Sequence, residues 1–142
     1  MHASNHPRRI IALVLSVLLF SGCASTIEAI KAVLGSSTKA LEEARVEALS
    51  QTYACDYDQC FDAVIDLAKE KKLTVFIKDR KKSRIVLMGI PGSVDTTEVG
   101  VFFLSFGPQE TKLEVASLSL SARDKVAEMV FENLSKAYSL VK

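Results

Sequence analysis

The hydropathy pattern predicts an α+β domain: an antiparallel four- to five-stranded sheet with two helices packed on one face. Three observations lead there. From Leu49 onward the apolar period runs 2, then 3.6, then 2 through four successive segments, then 3.6 again. The breaks between those four segments are polar and suit hairpins, which place neighbouring strands antiparallel. Each helical segment carries one apolar stripe, as a helix covering a sheet requires. The expected order is β-α-β-β-β-β-α.

Residues 24–36 carry Ile27, Ile30, Val33 and Leu34 at helical spacing up to Gly35, after Ser25 and Thr26 as candidate caps. They read as a short amphipathic helix or a partly ordered tether, with a hinge at Gly35-Ser36-Ser37. A second helical piece is expected from Thr38 to about Glu47, with Leu41, Ala44 and Ala48 along one side. Leu49 to Ala54 alternates as a strand, unless the preceding helix runs on. Asp56-Tyr57-Asp58-Gln59 reads as a capping box that starts a helix over Tyr57–Lys71, burying Cys60, Phe61, Val64, Leu67 and Ala68. Lys69, Lys71 and Lys72 complement the negative end of its dipole.

Leu73, Val75 and Ile77 then share one face of a strand. A turn over Asp79–Ser83 leads to a second strand at Arg84–Ile90. The basic residues Lys78, Arg80, Lys81, Lys82 and Arg84 suit a solvated hairpin end, with anionic lipid or cell-wall polymer as the alternative partner. Residues 91–97 form the longest polar break, and Glu98–Phe106 follows as a strand apolar on both faces, so both faces need cover. A tether helix, a second copy, a partner or a small apolar ligand could supply the second cover. Thr111–Ser119 is the last strand, with Leu113 and Val115 inward. Ser121 is the expected cap of the final helix, with Asp124 three residues on, and Val126, Val130, Leu134, Ala137, Tyr138 and Val141 form its stripe.

The amino terminus carries a different signal. Arg8-Arg9 precedes an eleven-residue apolar run, Ile10–Phe20, and Ser21-Gly22 precedes Cys23. Eleven residues rise about 16 Å as a helix, roughly half of a hydrocarbon core, which disfavours an uncleaved span. Plain secretory cleavage is disfavoured by bulky Phe20. Leu18-Leu19-Phe20-Ser21-Gly22-Cys23 resembles the lipobox of bacterial lipoproteins, although Phe20 stands where the family usually has Leu. The resemblance implies acylation of Cys23, membrane attachment through it, and a cell-envelope location. Ala24 resembles the sorting residue of lipoproteins sent to the outer membrane. Arg8-Arg9 lacks the surroundings of a twin-arginine signal, leaving general secretion. The implied organisation is a signal peptide at 1–22, a lipidated, partly helical tether at 23–48, and a globular domain at 49–142.

Cleavage before Cys23 leaves 120 of 142 residues, enough for one domain. It removes both histidines, His2 and His6, and with them the commonest general base and metal ligand. It also takes two of the 18 basic residues and none of the 17 acidic ones, so no global positive field for nucleic acid is left. Cys55 and Cys60 fall at the N′ and N4 positions of the capped helix, which touch in a hydrophobic staple. In an oxidising compartment they can bridge; reduced, they serve as the staple's apolar pair.

The element order is similar to the helix-grip domains of envelope lipoproteins, among them the lipoprotein component of the outer-membrane β-barrel assembly machine. The stretch Gly89–Gly100 resembles small uncharacterised bacterial lipoproteins. Neither resemblance carries over a functional residue. The chain has no G-x-S-x-G, H-E-x-x-H or phosphate-cradling glycine motif, and no metal or cofactor is expected. The expectation is a noncatalytic binding or scaffold module with an envelope protein partner. Its contact surface is expected at Gly92, Asp95, Thr96, Thr97 and Glu98 and at Phe102 and Leu104 on the second face of their strand. A carrier or sensor of an apolar small molecule is the alternative. A hydrolase using Asp56/Asp58 or Asp95/Glu98 comes third.

Overall fold

The computed structural model describes residues 37–142. The expected signal peptide, the lipidated Cys23 and the helix expected over 24–36 lie outside the described residues. From Lys39 onward the chain forms one compact unit. Its sheet runs β1 (Leu49–Tyr53), β2 (Thr74–Asp79), β3 (Arg84–Met88), β4 (Val99–Gly107) and β5 (Glu110–Ala116), in spatial order β1-β5-β4-β3-β2. Every pairing is antiparallel. Helices α1 (Tyr57–Glu70) and α2 (Leu120–Ala137) cover one face, giving the predicted α+β architecture.

The main core lies between that face and the helices. Val99, Val101 and Phe103 of β4, Ile85 and Leu87 of β3, and Leu113 and Val115 of β5 meet Phe61, Val64 and Leu67 of α1 and Val126, Val130 and Leu134 of α2. The α1 stripe is the one expected from its spacing, with Ile65 added. α1 closes with Lys72 in the left-handed region (φ 57°) and with hydrogen bonds from Leu73 N to Ala68 O (2.8 Å) and Lys72 N to Lys69 O (3.1 Å). That pairing is a Schellman motif, which satisfies carbonyls the helix end would otherwise leave open.

The second face of β4 is covered by the chain's own amino-terminal segment. Residues 37–44 are helical and a 3-10 turn follows at Arg45–Glu47. Leu41, 2% exposed, packs with Val86, Phe102 and Ala116, and Ala44, Ala48 and Ile77 close around them. The guanidinium of Arg45 sits 4.5 Å from the centroid of the Phe102 ring. It also donates to Glu114 through Nε (3.0 Å) and Nη2 (2.7 Å), and Glu42 accepts from Nη1 at 2.9 Å. A long side chain thus buries its stem over an apolar ring while its charge is met by two carboxylates.

Three local expectations are corrected. A bulge between Val75 and Ile77 inserts Phe76, so Val75 joins the main core while Ile77 joins the second-face cluster. α2 begins at Leu120 with Ser119 as its N-cap, Oγ accepting from Ala122 N, in place of Ser121. β5 has already stopped at Ala116, and the Ser117 hydroxyl donates to Glu98 O (2.6 Å) and accepts from Ser119 N (3.1 Å), which sets the earlier start. The helix also ends at Ala137. Val141 lies beyond it in extended chain, donating to Thr52 O at 2.9 Å alongside a bridge between Leu140 and Tyr53. Backbone groups left open at the β1 edge are better satisfied by that pairing than by another helical turn.

Leu41→Ala will lower the unfolding free energy from urea titration by about 2–5 kcal/mol, the range for a buried leucine. Val46→Ala, at a residue 93% exposed, will stay within about 0.5 kcal/mol. Equal effects would show that the second face is not a packed core.

Candidate functional site

The amino end of α1 is built by its cap. Asp56 is extended, its Oδ1 accepting from Gln59 N at 2.8 Å, which fixes the first turn. Cys55 and Cys60 are then brought to disulfide distance, with Cα atoms 6.0 Å apart and both residues fully buried. Thr111 of β5, itself buried, donates from Oγ1 to Cys55 O at 3.0 Å and ties this corner to the sheet.

Asp58, Asp62 and Asp66 recur at i, i+4 and i+8 along one side of α1. They line an open groove of about 730 Å³, whose other walls include Asp56, Tyr138 and Pro108 of the β4–β5 turn. Every carboxylate in it has a partner. Asp58 and Asp62 accept from the two guanidinium nitrogens of Arg80, Asp66 accepts from Lys69 (3.0 Å), and Asp56 caps the helix. Arg80 also lies 4.4 Å over the Phe61 ring, and its carbonyl accepts from the Tyr57 hydroxyl at 2.8 Å. Thus one residue of the basic β2–β3 turn is folded onto the acidic side of α1, while Lys81 and Lys82 remain exposed.

The contact residues expected from sequence do not form one surface. Gly92, Asp95 and Thr96 are exposed, whereas Thr97, Glu98 and Leu104 are half-buried. Phe102 is 2% exposed beneath Leu41 and Arg45, so it offers no contact surface. The 89–98 loop is shaped by two turns. In the first, Ser93 N donates to Ile90 O (3.0 Å) with Pro91 and Gly92 central, and Gly92 has φ +77° as the third residue of a type II turn requires. Lys125 Nζ donates to Pro91 O at 2.8 Å and pins this turn to α2.

Besides the α1 groove, two features were not anticipated. A second, smaller groove of about 350 Å³ lies between residues 40–47 and the β5–α2 connection, lined by Ala44, Val46, Leu118 and Leu120. The other is the Arg45–Glu114 pair, which joins residues 69 apart in sequence. Burial alone would push the Glu114 carboxyl up, but the hydrogen bonds from Arg45 and Lys112, with their charges, hold it below the ordinary glutamate value. Burial raises the Tyr53 hydroxyl, against a hydrogen bond with Ser135 that acts the other way.

A carboxyl whose folded pKa is depressed stabilises the fold above its unfolded pKa of about 4.3, and that contribution disappears as pH falls through the lower folded value. Glu114→Gln will therefore lower stability at neutral pH and flatten the acid limb of the stability profile; an unchanged limb would remove Glu114 from the account of acid unfolding. Intact-mass measurement under denaturing conditions will show protein from an oxidising compartment lighter by two hydrogen atoms than its reduced form. Replacing Cys55 and Cys60 together by Ala will cost about 2 kcal/mol if they bridge.

The chain matches no protein-family model and no curated protein.

Proposed function

We propose that this protein is a lipid-anchored domain of the bacterial cell envelope that works by binding rather than by catalysis, as a scaffold or contact module for an envelope protein. The observation that carries the binding reading is the groove along α1. It is open, it presents carboxylates and tyrosine to solvent, and each carboxylate is already engaged with a cation or a backbone N–H. Paired carboxylates beside a tyrosine in an open groove suit recognition of a polar partner surface. The reading is further supported by the second face of β4, where Leu41 and Phe102 take up the space an apolar cargo would need. The anchor rests on Leu18–Cys23 and its lipobox resemblance, and the oxidising location on the Cys55–Cys60 pair.

Cys23→Ala will prevent acylation and move the protein from the membrane to the soluble fraction of its host. Unchanged fractionation would remove the anchor. A photoreactive residue in place of Gln59, which lines the groove, will capture a discrete envelope protein in intact cells, whereas one in place of Lys81 on the β2–β3 turn will not. Equal capture from both positions would rule out the groove as the contact surface.

A further inference from the structure

The described residues expose three large apolar side chains around one groove: Val46 at 93%, Leu118 at 76% and Leu120 at 55%. Singly exposed apolar residues are ordinary, but three that share a concave surface call for an occupant. Two of them flank the tight hydroxyl network of Ser117 and Ser119, which holds the connection outward ahead of α2. The third is in the 3-10 turn that leads into β1. The patch therefore sits on ordered backbone, at the end of the sheet where β5 finishes and β1 begins.

We infer that this patch is a membrane-resting surface, and that its occupant is the interfacial region of a bilayer. The short stretch of chain between Cys23 and the patch is what selects a bilayer as the occupant, so the inference rests on the lipid-anchored reading above. The groove wall starts at Ala40. About 17 residues separate Ala40 from Cys23, a reach of about 25 Å as a helix and of about 60 Å fully extended. A domain of about 100 residues has a radius of gyration of about 13 Å and is roughly 33 Å across. Acylation of Cys23 thus holds the 40–47 wall within a domain's width or two of the lipid, and this is the wall that carries Val46. An apolar surface kept at that distance meets a bilayer at high effective concentration.

Glu43 and Glu47 rim the same groove, which disfavours an anionic surface and fits one rich in zwitterionic headgroups bearing an ammonium. Contact is driven by apolar burial and is insensitive to salt. A domain resting on this patch turns away from the lipid the opposite end of the sheet, where Phe106 precedes the β4–β5 turn at 62% exposure.

The chain contains no tryptophan, so a single introduced one reports without background. Leu118→Trp and Phe106→Trp are prepared in the full acylated chain and in the Cys23→Ser chain. Each is mixed with vesicles of phosphatidylethanolamine and phosphatidylcholine, with and without brominated acyl chains. The expected result is a blue shift and loss of emission for Leu118→Trp and neither for Phe106→Trp, with Val46→Glu abolishing the effect at position 118. Vesicle flotation reports the anchor separately. Flotation without quenching at 118 overturns the resting surface and leaves the anchor standing. Equal flotation of the full and Cys23→Ser chains, with quenching at 118 in both, supports the surface and removes the anchor. A concentration-dependent blue shift at 118 in lipid-free solution assigns the patch to a second copy and overturns the inference.

Discussion

The central strand β4 is apolar on both faces, and the architecture follows from having to cover both. One face receives α1 and α2 in the usual way of a two-layer domain. The other is closed by a short segment that arrives before the sheet begins, with Leu41 filling the space and Arg45 laid across Phe102. Arginine suits that position. A leucine there would leave half-buried Glu114 with Lys112 but without its two-point partner, whereas the guanidinium covers the ring and donates twice to the carboxylate. Residues 39–48 are thereby part of the body of the domain.

Much of the fold was legible because its periodicities are strong. The α1 stripe, the capping role of Asp56, the hairpin series and the two-sided character of β4 all follow from local patterns that the packing then respects. The misjudged positions share a different cause. Phe76 is bulged, and nothing in a run of β-formers tells which residue will be the extra one. Ser119 caps α2 in place of Ser121 because Ser117 is held by Glu98 O, a contact across 19 residues. Val141 leaves the helical stripe because an unpaired strand edge lies within reach. In each case a long-range partner decided between two locally acceptable choices.

The candidate surfaces were less legible for the same reason. Asp58, Asp62 and Asp66 were not singled out as a row, because acids on a helix face are ordinary in a sequence and the groove exists only where the β4–β5 turn and Tyr138 stand opposite them. Phe102 looked like a contact residue while the second face lacked an occupant, and it became core once Leu41 and Arg45 were in place. Conversely, Val46 and the Leu118–Leu120 stretch lie far apart in sequence and acquire meaning only when β1 and β5 pair side by side.

The carboxyl-terminal tail has a consequence of its own. Ser139, Leu140 and Val141 lie along the outer margin of β1, with Ala54 N donating to Ser139 O and Val141 N to Thr52 O, both at 2.9 Å. An open margin of this kind is a template on which strands from other molecules can assemble. A chain shortened to Tyr138 would keep the side chains of its interior and lose this guard, leaving the β1 margin as open to pairing as the β2 margin at the other end of the sheet.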